Sequence, residues 1–170
     1  YSLKNLHDSS LQDSKGLHHD IVCPDGSVLS GKDYHLDLVE INDAFVEMLR
    51  EKYQTNPRVT IYHADITQWE PTKTYDSIVS TLPFNIFEQS TIEQILSSYA
   101  SWIKHNGVLT FIELSGLGEI GQALMIGDAK DKYVAKRAVV SDFREKYLTD
   151  KITVFKNIPP IHVYHVTINN

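Results

Sequence analysis

The sequence predicts an α/β domain: a doubly wound, mostly parallel sheet with helices on both faces and an antiparallel hairpin at its C-terminal edge. Three observations predict it. From His35 onward, short apolar runs alternate with stretches of helical spacing, the pattern of parallel strands joined by crossover helices. The last two apolar runs have no helical pattern between them, so they pair antiparallel. Finally, 170 residues at 42% hydrophobic content suffice for one domain with a real core, and not for two comfortable ones.

The first 34 residues stand outside this rhythm. They are rich in Asp, Ser, His and Gly, and only "HDIVCP" (19–24) reads as a strand. From Pro24 to His35 there is room for a turn but not for a crossover helix, which needs about a dozen residues or more. Residues 1–34 are therefore an irregular N-terminal segment or an incomplete first βα unit, and 35–170 form the domain. "HLDLVEI" (35–41) is a strand. "NDAFVEMLREKY" (42–53) follows as a helix capped by Asn42, with Phe45, Met48, Leu49 and Tyr53 on its buried face. "RVTIYHAD" (58–65) and "YDSIVSTL" (75–82) are the next strands. Residues 91–104 make a helix whose Ile92, Ile95, Leu96, Tyr99, Trp102 and Ile103 form one apolar stripe, ended by Asn106-Gly107. "VLTFIEL" (108–114) is a strand. A Gly-punctuated stretch, 115–128, leads to a helix carrying Ala138, Val139, Phe143 and Tyr147. "KITVFKNI" and "IHVYHVTIN", separated by Pro159-Pro160, are the closing pair.

Charge and composition exclude several classes. Sixteen basic against 22 acidic residues give a net charge of −6, and no Lys/Arg cluster lies near Pro83 or Asn85 in the chain. The long-range field thus disfavours nucleic acid and anionic membrane, while a local peripheral membrane contact stays open. The one cysteine, Cys23, allows no internal disulfide framework, which fits a reducing cytoplasm. No apolar run approaches the roughly 20 residues that span a bilayer. No Cys/His spacing suits zinc. His18-His19, His162 and His165 are the remaining metal candidates, but His162 and His165 point to opposite faces of one strand, and no metal site is expected.

In open parallel sheets, ligands bind beyond the carboxyl ends of the strands. Three such ends carry chemistry. Glu40, followed by Ile41, ends the first helix-linked strand, where a carboxylate can accept from both hydroxyls of a ribose. Asp65 in "HADI" ends the next, where it can take the amino group of an adenine while Ile66 covers the ring. The third end runs from Ser80 through Thr81, Leu82, Pro83 and Phe84 to Asn85. Each acidic residue alone could equally be solvated or cap the following helix, and Pro83 could simply end a strand. Their placement on three successive strand ends of one rim favours a site.

These residues resemble the class I S-adenosylmethionine-dependent methyltransferases, which have a Rossmann-like fold. "LVEIND" is similar to the family's acidic ribose position, "HADI" to its adenine position, and "STLPFNIF" to its substrate-side motif after the fourth strand. The resemblance implies S-adenosyl-L-methionine as cofactor, held by Glu40, Ile41, Asp65, Ile66 and Ser80. It implies methyl transfer at Thr81, Leu82, Pro83, Phe84 and Asn85, with an amine nitrogen aimed by carbonyl or amide oxygens and Phe84 lying against the developing cation. Within the class, bacterial phospholipid N-methyltransferases have a similar small-residue-Leu-Pro motif, and Asn157-Ile158-Pro159-Pro160 resembles their late turn. Ribosomal RNA adenine dimethyltransferases carry Asn where this chain has Thr81. No glycine-rich cofactor loop follows the first strand; "CPDGS" (23–27) has one glycine and "SGLGEIG" (115–121) comes after the wrong strand. Three functions are carried forward: an N-methyltransferase of a small or lipid amine, an RNA adenine methyltransferase, and a non-catalytic methyltransferase-like binding domain.

Overall fold

The computed structural model describes residues 21–22, 28–29, 34–114, 126–155 and 160–169. The chain divides into two units, Tyr1–Tyr34 and His35–Asn170. In the first, β1 (Ile21–Val22) and β2 (Val28–Leu29) pair antiparallel as a two-stranded sheet.

The second unit is the α/β domain. Its order is β3 (Leu36–Glu40), α1 (Asp43–Tyr53), β4 (Val59–His63), β5 (Tyr75–Ser80), a 3-10 turn (Phe84–Ile86), α2 (Gln89–Trp102), β6 (Ile103–Leu114), α3 (Asp128–Lys146), β7 (Leu148–Val154) and β8 (Ile161–Ile168). β3 and β4 pair in parallel, in register from Leu36 with Val59 to Glu40 with His63. The larger sheet has the order β5–β6–β8–β7, parallel between β5 and β6 and antiparallel beyond. The expected closing hairpin is thus present, with β7 at the edge.

β3 and β5 share no ladder; side chains join them instead. The Tyr75 hydroxyl, at the start of β5, donates to Asp37 Oδ2 at 2.7 Å, and Lys73 Nζ lies 3.0 Å from the same oxygen. The Asp37 side chain is 2% exposed. His35 Nε2 stands 2.9 Å from the other oxygen but is aligned with Thr60 Oγ1 at 3.0 Å, so Oδ1 gains an ion-pair neighbour without a hydrogen bond. Trp69, on the connection from β4 to β5, packs edge-on against Trp102 of α2 and touches Tyr62 and Tyr75.

The core follows the α2 stripe. Ile92, Ile95, Leu96, Tyr99 and Trp102 are all buried, against Leu109 and Phe111 of β6 and Val166 and Ile168 of β8. Two sequence expectations need correction. α1 buries Val46, whereas Phe45 and Met48 are 40% and 63% exposed, so its covered face is rotated from the predicted one. Asn106-Gly107 does not end α2. The strand begins at Ile103, and the two residues sit in an irregularity where the pairing jumps from Tyr75–Ile103 to Ser77–Val108. Asn106 takes φ 61°, and a Cβ at Gly107 would lie 2.8 Å from Ile103 Cγ2 and 3.0 Å from the Asp76 carbonyl, so glycine is required there.

Candidate active site at the strand ends

The carboxyl ends of β3 and β4 are neighbours because the two strands pair in register. Glu40 stands opposite His63, and the Ala64 amide donates to the Glu40 carbonyl at 3.0 Å. Glu40 Oε1 accepts the Asn42 amide at 2.7 Å, and Asn42 Oδ1 in turn caps α1 at the Phe45 amide. One carboxylate oxygen therefore fixes the entry to the helix, and the other has lone pairs for a ligand. Ile41 beside it is 63% exposed.

Asp65 organises the turn after β4. Its Oδ1 accepts from both the amide and the hydroxyl of Thr67 at 2.8 Å, and its carbonyl accepts from the Gln68 and Trp69 amides. Gln94 of α2 ties this turn down through the Thr67 carbonyl at 2.9 Å, and Ile66 packs on the main core. Leu82 packs on that same core, so the adenine candidate and the acceptor motif share one apolar support.

At the end of β5 the chain makes an inverse γ-turn. Pro83 has φ −80° and ψ 83°, and the Leu82 carbonyl accepts the Phe84 amide at 3.1 Å across it. Proline pre-sets that φ. The Pro83 and Phe84 carbonyls accept from Ile86 and Phe87, so each carbonyl of the turn holds one internal bond and keeps a second lone pair. Thr81, Pro83 and Asn85 are exposed.

Two residues of this stretch behave otherwise than expected. The Phe84 ring is 5% exposed and stands edge-on to Phe111 at 5.7 Å. It is a core anchor and not an open wall for a cation. The Ser80 side chain is 4% exposed and turned inward to Tyr99, which leaves only its backbone for a ligand.

Sequence reasoning passed over two contributors. Tyr99 was visible only as part of an apolar stripe, though its hydroxyl needs a partner wherever it is buried. Lys136 lies far along the chain, yet α3 packs on the 3-10 turn and brings its Nζ to 3.6 Å from Glu88. "CPDGS", "SGLGEIG" and residues 157–159 lie outside the described residues. His162 and His165 are each tied to a threonine, Thr153 and Thr110, on opposite faces of β8. Among the described residues, no group of three or more His, Cys, Asp or Glu is placed to hold a metal ion.

The methyltransferase domain family matches residues 21–107, just over half of the chain. The chain belongs to that family. For this methyltransferase domain, the match bears out the class I resemblance at the level of family and cofactor, S-adenosylmethionine. It begins at Ile21, before the boundary expected from the motifs, so "CPDGS" lies within it. A tRNA1(Val) (adenine(37)-N6)-methyltransferase of Klebsiella pneumoniae is 30% identical over 90 residues, which cover 48% of the methyltransferase domain chain and 36% of the relative. The chain thus matches about a third of that relative's length. The N-methyltransferase NodS of Bradyrhizobium japonicum, solved with S-adenosyl-L-homocysteine, superposes with a TM-score of 0.61 at 11% identity, over 80% of this chain and 67% of its own. The plantazolicin methyltransferase BpumL, solved with a pentazolic desmethylPZN analogue and S-adenosyl-L-homocysteine, gives a TM-score of 0.53 at 13% identity, over 80% of this chain and 68% of its own. These likenesses establish the Rossmann-like α/β fold.

The residues fit the cofactor's nucleoside. Glu40 and Asp65 offer carboxylate acceptors on adjacent strand ends, and Ile41 and Ile66 offer apolar surface beside them.

Proposed function

We propose that the domain is an N-methyltransferase whose acceptor is a non-aromatic amine, with an ethanolamine-type phospholipid headgroup as the best candidate. It would work as a cytoplasmic protein meeting the membrane peripherally. The observation that carries this reading is the inverse γ-turn at Pro83. It presents backbone carbonyls with spare lone pairs and the exposed Asn85 amide at the end of β5, and it offers no aromatic face on which a base could stack, because the Phe84 ring is buried.

Bound S-adenosylmethionine supplies an electrophilic methyl group on a sulfonium whose leaving group departs neutral. The chain's task is therefore to position. Glu40 and Asp65 would hold the nucleoside by accepting from its hydroxyls and amino group. The headgroup ammonium gives up one proton to solvent, and two of the three acceptors, the Leu82 and Pro83 carbonyls and Asn85 Oδ1, then take the two remaining hydrogens of the amine and aim its lone pair, which is where near-attack geometry lowers the barrier. Carbonyl dipoles also favour the cationic product nitrogen.

A second reading, transfer to an adenine amino group of RNA, is favoured by the relative that acts on tRNA. Net charge −6 and the buried Phe84 ring weigh against it. The test is to incubate the chain with labelled S-adenosylmethionine and, separately, phosphatidylethanolamine vesicles, phosphoethanolamine and an adenine-bearing tRNA fragment. Label in the ethanolamine products supports the proposal. Label only in RNA, with binding that falls steeply as salt rises, overturns it in favour of the second reading.

A further inference from the structure

The end of β5 is hooked from behind. Tyr99, on the inward face of α2, is 4% exposed, and its hydroxyl donates to Ser80 Oγ at 3.1 Å. Ser80 Oγ also accepts the Leu82 amide at 3.4 Å. Leu82 is the first residue of the inverse γ-turn, and its carbonyl closes that turn on the Phe84 amide. A phenol, a serine hydroxyl and a backbone amide therefore form one line, buried at Tyr99 and Ser80 and half-buried at Leu82, that ends at the peptide beginning the acceptor motif.

We infer that Tyr99 is a positioning residue for the acceptor site, acting through Ser80 to fix the Leu82 amide and hence the direction of the carbonyls beyond it. The inference rests on the N-methyltransferase reading above. Packing alone does not require the hydroxyl, since its neighbours on the α2 stripe, Ile92, Ile95 and Leu96, are aliphatic. The polar tip meets the one buried serine of β5, at the point where the strand must stop and turn. Burial pushes the Tyr99 phenol above its ordinary pKa, with the Ser80 bond opposing more weakly, so it remains a protonated donor at neutral pH. Ser80 Oγ accepts from both groups and still has its own proton to donate. Removing the Tyr99 hydroxyl frees Ser80 to rotate and loosens the turn without opening a large cavity.

The experiment uses the whole chain as wild type, Tyr99→Phe, Ser80→Ala and the double variant. It reads amide hydrogen exchange at Leu82, turnover with labelled S-adenosylmethionine and phosphatidylethanolamine vesicles, and calorimetric binding of S-adenosylhomocysteine. In Tyr99→Phe, protection at Leu82 should fall about tenfold and kcat by about 10- to 100-fold, while KM for the cofactor and binding of S-adenosylhomocysteine stay within about twofold. The double variant should be no worse than Ser80→Ala alone, because the two side chains act in series. A merely structural tyrosine would lower the melting temperature and leave kcat of the folded enzyme unchanged; that result overturns the inference. If the wild-type chain methylates none of the acceptors tested, the functional reading fails by itself, and unchanged Leu82 protection in Tyr99→Phe would still sink the positioning role.

Discussion

Glu40 gives one carboxylate oxygen to the entry of α1 and, in the proposed site, the other to the ligand, and substitutions can separate the two roles. Glu40→Ala loses both the acceptor for the Asn42 amide and the proposed acceptor for the ribose, so binding of S-adenosylhomocysteine should weaken by about 1–3 kcal/mol. Glu40→Gln keeps an oxygen for Asn42 and should preserve the thermal stability of the free protein while still binding less tightly. Calorimetry and a melting curve on the pair check this; unchanged affinity in Glu40→Ala would remove the residue from the site. Asp65 invites the same separation, because its Oδ1 is occupied by Thr67. Asp65→Asn should lower cofactor affinity with little change in the free protein's melting temperature, and a large loss of stability would make Asp65 a turn residue only. Phe84 belongs to another category. Its burial against Phe111 predicts that Phe84→Ala destabilises the fold by about 3–5 kcal/mol in urea titration, an effect that selective loss of turnover would contradict.

Among the elements, legibility in the sequence tracked how completely a residue type determines its surroundings. The α2 stripe was readable because isoleucine and leucine at helical spacing have one place to go, and Asn42 because a helix N-terminus needs an acceptor. The rotated face of α1 was not, since helical spacing cannot choose between Val46 and its neighbours until β3 and β4 present their surface. Nor was the inward turn of Ser80, which depends on a tyrosine 19 residues away in sequence. The same holds for Asp37, which nothing in "HLDLVEI" singles out and which proves to be a buried join between β3 and β5. Burial pushes its carboxyl up, but the Tyr75 and Lys73 hydrogen bonds and the Lys73 and His35 charges outweigh this and hold it below its ordinary value. Since the folded-state value is the lower one, Asp37 contributes stability that is present above the unfolded carboxylate pKa and lost as pH falls through the folded value. Lys73→Met should therefore reduce stability at pH 7 and shrink the loss between pH 5 and pH 2, as read by urea unfolding at each pH. Tyr75→Phe removes a hydrogen bond to a buried carboxylate and should cost about 1.5–3 kcal/mol at neutral pH.

At the scale of the whole molecule, the described α/β unit is two sheets sewn together by side chains, and this division falls between the two halves of the proposed site. Glu40 and Asp65 belong to the β3–α1–β4 part, whereas the γ-turn at Pro83 is backed by the four-stranded sheet and its buried core. Backbone ladders unzip cooperatively, while a seam of separate side-chain contacts, Asp37 with Tyr75 and Lys73, Trp69 on Trp102, Ile66 on the core and Gln94 on the Thr67 carbonyl, has no such propagation. The two parts should thus behave as separate foldons of unequal stability. Native-state hydrogen exchange should find β3 and β4 amides opening at lower free energy than those of β6 and β8, and S-adenosylhomocysteine should narrow that gap by binding only the closed form. The seam then has a thermodynamic meaning: if the proposed site is right, the leaf carrying Glu40 and Asp65 is annealed by its ligand, and the leaf carrying the γ-turn is set before any ligand arrives.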